Sequence, residues 1–191
     1  GDLGGVEALI RWQHPIRGLV PPSKFVPIAE ETGLIVEFGL FILNEACREL
    51  AAWRRLPGAE DLYVSVNLSP RQLRDPGIVG AVDSILRRHG LPPEALCLEL
   101  TESMLMEEPE RAEDTLRQVR AVGVRMSIDD FGTGYSSLAY LKRFPVDQVK
   151  IDKSFVDGLG IVDSSEESLV AAIVAMAKAL HVSTVAEGVE T

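Results

Sequence analysis

The stretch "MSIDDFGTGYSSL", residues 126–138, decides how the rest of the chain is read. Residues suited to a buried strand run straight into Asp129 and Asp130. A loop with Gly132 and Gly134 follows, and then a helix-like segment. A strand that ends on charge and turns into a helix is one unit of an alternating β/α chain. Working outward from it, strands are expected at 4–11, 62–69, 95–102, 124–130, 147–152 and 182–188. Helices are expected at 21–33, 36–55, 76–89, 109–122, 136–143 and 165–180. Ser23 reads as an N-cap and Gly33 as a stop; Asp75 reads as a cap, with Pro76 at the first position and Gly90 as terminator. Six strands separated by helices imply a parallel sheet with helical crossovers, either doubly wound or closed as a barrel. No Gly-rich dinucleotide fingerprint follows the first strand, which counts against the Rossmann form.

With 191 residues and 46% apolar content, the chain can bury a sizeable core. No apolar run approaches the roughly 20 residues that span a bilayer. The net charge of −10, from 29 acidic and 19 basic residues, repels a phosphate backbone and argues against a polymeric nucleic-acid partner. A small anionic ligand stays compatible with that charge if metal ions mediate the contact. Cys47 and Cys97 read as two buried free thiols, which fits a cytoplasmic domain. Cysteine and histidine spacing suggests no zinc site. Trp12, Trp53 and the apolar face of helix 165–180 read as packing residues. The acidic run 107–114 reads as a solvated helix start favoured by the helix dipole.

Side chains alternate faces along a strand. Each expected strand then carries polar groups near its C-terminal end: Glu7, Asn67, Glu99, Asp129 with Asp130, Lys150 with Asp152, and Glu187. In a parallel barrel that end is where sites are built. Several carboxylates converging there repel one another unless cations intervene. The donors are hard oxygens, so one or two Mg²⁺ or Mn²⁺ ions are the economical resolution. Taken singly, each of these residues has a plainer reading. An acid at a strand end is commonly a helix cap or a solvated loop charge, "NLSP" caps the next helix, and Lys150 is an ion-pair partner.

The motifs "EALIRW" (Glu7–Trp12), "NLSP" (Asn67–Pro70), "ELTES" (Glu99–Ser103), "DDFGTGYSSL" (Asp129–Leu138), "KIDKSF" (Lys150–Phe155) and "AEGVET" (Ala186–Thr191) occur in this order. Together they resemble the EAL-domain family of cyclic di-GMP phosphodiesterases. The resemblance implies an α/β fold, a TIM-like (β/α)8 barrel whose first strand is antiparallel. Residues 1–191 are then one EAL domain truncated at both ends, with the family's first and last strands missing. It further implies hydrolysis of cyclic di-GMP to linear pGpG in bacterial signalling. Its alternatives are a catalytically inactive cyclic di-GMP receptor module and an unrelated barrel enzyme acting on another phosphate ester.

By motif, Glu7, Asn67, Glu99 and Asp129 resemble ligands of the main metal. Asp130, helped by Asp152, resembles a ligand of a second. Lys150 resembles the lysine beside the attacking water, and Glu187 the glutamate needed for activity. Glu102 resembles the glutamate anchoring the loop after Asp130. Leu9 and Arg11 resemble a substrate-binding surface. The family also implies a homodimer, linked sensory or diguanylate-cyclase-type domains, and tethering to the inner membrane through segments outside this chain.

Overall fold

The sheet includes strands that are buried on both faces. In β4 (Tyr63–Asn67) Val64, Ser65 and Val66 are all buried, and in β5 (Leu96–Thr101) every residue from Leu96 to Leu100 is buried. Strands covered on both sides are the mark of parallel sheets under helices. The computed structural model describes residues 3–133, 142–159 and 166–189. It divides into two compact units, Gly1–Leu98 with Ala121–Val124, and Glu99–Arg120 with Arg125–Thr191.

In the first unit β1 (Gly5–Ala8) pairs in parallel with β4, Glu7 opposite Ser65. Helices α1 (Pro22–Thr32), α2 (Ile35–Trp53), α3 (Pro70–Leu73) and α4 (Ile78–His89) accompany them. Helix α2 buries Ile35, Gly39, Leu43, Ala46, Cys47 and Leu50, spaced at three, four and one residues along a single stripe. Leu43 and Leu50 are wholly buried, each contributing about 1.5–3 kcal/mol of transfer free energy. Gly39 lets Gln72 come close; a Cβ there would lie 1.8 Å from Gln72 Nε2. Gln72 completes a capping box with Ser69 at the start of α3, so "NLSP" does cap a helix.

In the second unit β6 (Arg125–Phe131), β7 (Gln148–Ile151) and β8 (Ser183–Ala186) pair in parallel, β7 between the other two. Helices α5 (Glu102–Glu107), α7 (Lys153–Val156) and α8 (Glu166–Ala179) belong to this unit. Helix α6 (Pro109–Val122) lies in it up to Arg120. Its core holds Leu105, Leu116, Val119, Met126, Ile128, Val149, Ile151, Ile173 and Ala177. Among the described residues no helix is long and apolar enough to cross a membrane.

Several expectations need correction. The first strand ends at Ala8, and residues 12–20 form an antiparallel hairpin, β2 (Trp12–His14) with β3 (Gly18–Val20). Its turn is held by His14 Nδ1, which accepts from the amides of Ile16 (3.1 Å) and Arg17 (3.2 Å). Ser23 is inside α1 rather than capping it; Pro21 is the cap residue and Pro22 opens the helix, where a missing N–H costs nothing. Asp75 does not cap α4, whose cap residue is Gly77. Asp75 Oδ1 instead accepts from the Gly77 amide at 2.8 Å, two residues ahead of it. Gly33 and Gly90 do end their helices in the left-handed conformation.

Trp12 and Trp53 are 43% and 38% exposed, so neither is a core residue, although Trp12 packs edge-on against Phe25. The run 107–114 is not uniformly solvated, because Glu113 is buried. Its carboxylate takes both Arg117, one turn on, and Arg143, and these two charges make the burial tolerable. The expected helix 136–143 falls largely outside the described residues, as do Gly134 and Ser136. Both cysteines are buried and neither is in a disulfide, as expected.

Candidate active site

Adjacent residues on a regular strand point to opposite faces, so Asp129 and Asp130 should diverge. They do not, because β6 breaks register against β7. Ser127 and Ile128 pair with Gln148 and Val149, and Phe131 then pairs with Ile151, with an irregularity between. Within it Asp130 takes a left-handed backbone, φ 52°. A bulge of this kind re-aims side chains, and Asp tolerates the left-handed region better than most residues. Carboxylate oxygens of Asp129, Asp130 and Glu187 consequently lie within 4.8 Å of one another.

Lys150 rises from β7 into this group. Its Nζ lies 3.1 Å from Glu99 Oε2, 3.0 Å from Asp129 Oδ1 and 2.6 Å from Glu187 Oε1. Glu99 and Lys150 are buried. Burial opposes the lysine's charge, but the Glu187 hydrogen bond and the Glu99 and Asp129 carboxylates outweigh it, and its pKa rises above the ordinary lysine range. Burial pushes the Glu187 carboxyl upward; the Lys150 hydrogen bond opposes this and the Asp129 charge reinforces it. Asp130 is raised by burial, then by the charges of Asp129 and Asp152. Asp152 goes the other way. Its Oδ1 accepts from the Ser154 hydroxyl and from the Ser154 amide at 3.0 Å, capping α7 and holding its carboxyl below the usual range.

A divalent cation fits this donor set on two counts. Asp129 Oδ1 is buried and within ion-pair reach of Lys150, yet its geometry satisfies no hydrogen bond. The two carboxyls beside it are raised by burial first, and the Asp129 charge adds to that shift. Only oxygens face the group from the acids, which suits magnesium or manganese.

The loop after Asp130 is tied at its start. Glu102, 4% exposed at the first turn of α5, accepts the Gly132 amide on Oε2 at 3.1 Å. Gly132 has φ 100°, a conformation open to glycine, and a Cβ there would meet Phe155 at 2.9 Å.

In the first unit, Asn67 Nδ2 donates to Glu7 Oε1 at 2.7 Å, both side chains at strand ends and exposed. Leu9 and Arg11 line a concavity of about 310 Å³ with Phe41, Glu45 and Trp53. Arg11 Nη1 donates to the Ile10 carbonyl at 2.9 Å. Asp147, at the opposite end of β7 from Lys150, drew no attention in the sequence. Its only sequence signal is an acid directly ahead of an apolar strand.

An α/β domain with parallel strands, whose strand ends gather three carboxylates on one lysine, has the constitution of a TIM-like barrel with a site at its strand ends. The EAL domain family model matches residues 1–191, so the chain belongs to the EAL family of cyclic di-GMP phosphodiesterases, and its parallel strands and helices match part of that family's (β/α)8 TIM-like fold. It is similar to the bifunctional diguanylate cyclase/cyclic di-GMP phosphodiesterase MucR of Pseudomonas aeruginosa, 49% identical across the whole chain and 28% of that protein. The solved structure of the PaMucR phosphodiesterase in complex with c-di-GMP matches with TM-score 0.93 over all of this chain and 76% of that one. The FimX EAL domain of Pseudomonas aeruginosa bound to c-di-GMP matches at 25% identity and TM-score 0.88, over all of this chain and 76% of that one. The chain spans about a quarter of the length of the curated relatives it matches.

Proposed function

We propose that this domain is a metal-dependent phosphodiesterase that hydrolyses one phosphodiester bond of cyclic di-GMP to give linear pGpG. The observation that carries the proposal is the Lys150 ammonium seated among Glu99, Asp129 and Glu187, in a chain whose relative MucR is named a cyclic di-GMP phosphodiesterase.

On this reading Glu7, Asn67, Glu99 and Asp129 hold one Mg²⁺ or Mn²⁺, and Asp130 with Asp152 contributes to a second. These assignments rest on the family motifs, with the oxygen-only cluster in support. When bound, the metal supplies Lewis-acid activation of water and neutralises charge on the phosphoryl oxygens.

The protein's own groups do the rest. Lys150 donates toward the attacking water and toward the charge that develops on the phosphoryl group. Glu187, with its raised proton affinity, takes the proton as the water oxygen bonds to phosphorus. The bond from phosphorus to the 3′ oxygen breaks in line, and that oxygen is protonated from solvent. Glu102 fixes where the loop leaves β6. Leu9 and Arg11 offer an apolar surface and a cation for a base and a phosphate. A homodimer, linked sensory or diguanylate-cyclase-type domains, and a cytoplasmic setting with tethering through segments outside this chain complete the proposal.

The test is incubation with cyclic di-GMP and Mg²⁺ followed by chromatography of the products. Appearance of pGpG, absent when Ca²⁺ replaces Mg²⁺, supports the enzyme. Tight binding with no pGpG assigns the domain to the receptor class instead.

A further inference from the structure

Asp129, Asp130, Lys150 and Glu187 are carried on or directly after three neighbouring strands, so their spacing depends on the register of β6, β7 and β8. One residue at the far end of those strands joins all three, through its side chain and its main chain. Asp147 immediately precedes β7 and is partly buried. Its Oδ2 accepts the amide of Met126 in β6 at 2.9 Å, and its own amide donates to the Met126 carbonyl at 2.9 Å. Its carbonyl accepts both the amide and the hydroxyl of Ser183, the first residue of β8, each at 2.9 Å. Its Oδ1 is held by Arg120 from the last turn of α6.

From these anchor points Asp129 lies three residues along β6, Lys150 three along β7, and Glu187 four beyond Ser183. At about 3.3 Å per residue each is roughly 10–13 Å from its anchor. Beyond the anchor β6 loses regular pairing at the bulge, between Ile128 and Phe131. There the ladder cannot correct a shifted strand, so the register entering the bulge must be set from below.

We infer that Asp147 is a positioning residue for the site, its side chain clamping the start of β6 to β7 and its carbonyl holding β8, so that Asp129, Asp130, Lys150 and Glu187 converge. It touches no reacting atom. Alanine at this position keeps the main-chain bonds to Met126 and Ser183 but drops the carboxylate's contacts with the Met126 amide and Arg120. Asparagine keeps one acceptor oxygen and loses the charge.

The kinetic arm of the test rests on the phosphodiesterase reading; the binding arm does not. Wild type, D147A and D147N are compared for Mn²⁺ affinity by titration, for cyclic di-GMP turnover, and for amide exchange at Met126. As a control V82A, in the buried face of α4, loosens the fold in the other unit. Clamping predicts that folded D147A binds Mn²⁺ about tenfold more weakly and loses about tenfold in kcat, with KM little changed. It also predicts faster exchange at Met126 and an intermediate D147N. V82A, assayed well below its melting temperature, should match wild type in kcat and Mn²⁺ affinity. Wild-type Mn²⁺ affinity in folded D147A overturns the inference. If D147A does not fold, D147N decides on the same measurements. If wild type binds Mn²⁺ but yields no pGpG, the phosphodiesterase reading fails while the Mn²⁺ comparison still judges Asp147.

Discussion

Replacing Lys150 by methionine removes the charge and nearly preserves the length of the side chain. Its ammonium faces Glu99, Asp129 and Glu187 at 3.1, 3.0 and 2.6 Å, and the side chain is 10% exposed. At an effective dielectric of about 20, one pair at 3 Å is worth about 5 kcal/mol of attraction, before the desolvation that offsets most of it. Deleting one partner of a buried pair leaves the others uncompensated, and the usual cost is about 3–5 kcal/mol. K150M should therefore lose about 3–5 kcal/mol in urea unfolding with EDTA present. A divalent cation restores positive charge among the same carboxylates, so millimolar Mn²⁺ should recover part of the deficit. It should recover more than it adds to wild type. Turnover should nonetheless fall about 100-fold or more, because no side chain replaces the Lys150 donor. Equal stability of K150M and wild type in EDTA would refute the reasoning, since the four groups could not then be electrostatically joined.

Three further outcomes follow from local geometry. Gly39→Ala forces Gln72 out of its place, because the new Cβ would overlap its amide at 1.8 Å, and the capping box at Ser69 goes with it. Denaturant unfolding should show a loss of about 2–4 kcal/mol. Burial pushes the Cys47 thiol up to about 11. A group whose folded pKa is raised contributes stability fully present below its unfolded value, near 9, and lost as pH climbs through 11. Stability should therefore decline between pH 9 and 11 by about 2–3 kcal/mol more in wild type than in C47A. Glu102→Ala strands the Gly132 amide, whereas Glu102→Gln keeps an acceptor. The alanine variant should lose turnover beyond its modest loss of stability, about 1–2 kcal/mol by calorimetry, and equal proportional losses would mean Glu102 only supports the fold.

What the sequence could tell depended on whether the controlling contact was local. Gly33 and Gly90 are local stops and are seen as such, and the strand-end positions of Glu99, Asp129 and Lys150 follow from runs that are buried on both faces, whereas β8, ahead of Glu187, is largely exposed. The hairpin at Trp12–Val20 was not legible, because strands of three residues show no period; only Pro15 and Gly18 hinted at its turn. Helix α5 starts at Glu102, directly after a strand, so the residue read as a strand end. Glu113 sits in an acidic run that looks solvated, and its burial depends on Arg143, thirty positions away. The same distance effect hides Asp147, whose partners Arg120, Met126 and Ser183 come from three other elements.

The adjacent aspartates show why the site needs an irregular strand. A regular β6 would place one carboxylate inside and the other among the helices, and no change of neighbouring residues would reunite them. Moving both to one side takes an extra residue and a left-handed backbone, and that backbone is costly for most side chains. Asp is among the few that accept it, so the residue bearing the charge also accommodates the bend at Asp130. Gly132, two positions on, continues the turn where a Cβ would strike Phe155. The stretch from Asp129 to Gly132 is thus one device, a strand that ends by folding its own last charges together, with Glu102 and Lys150 bracketing it from either side.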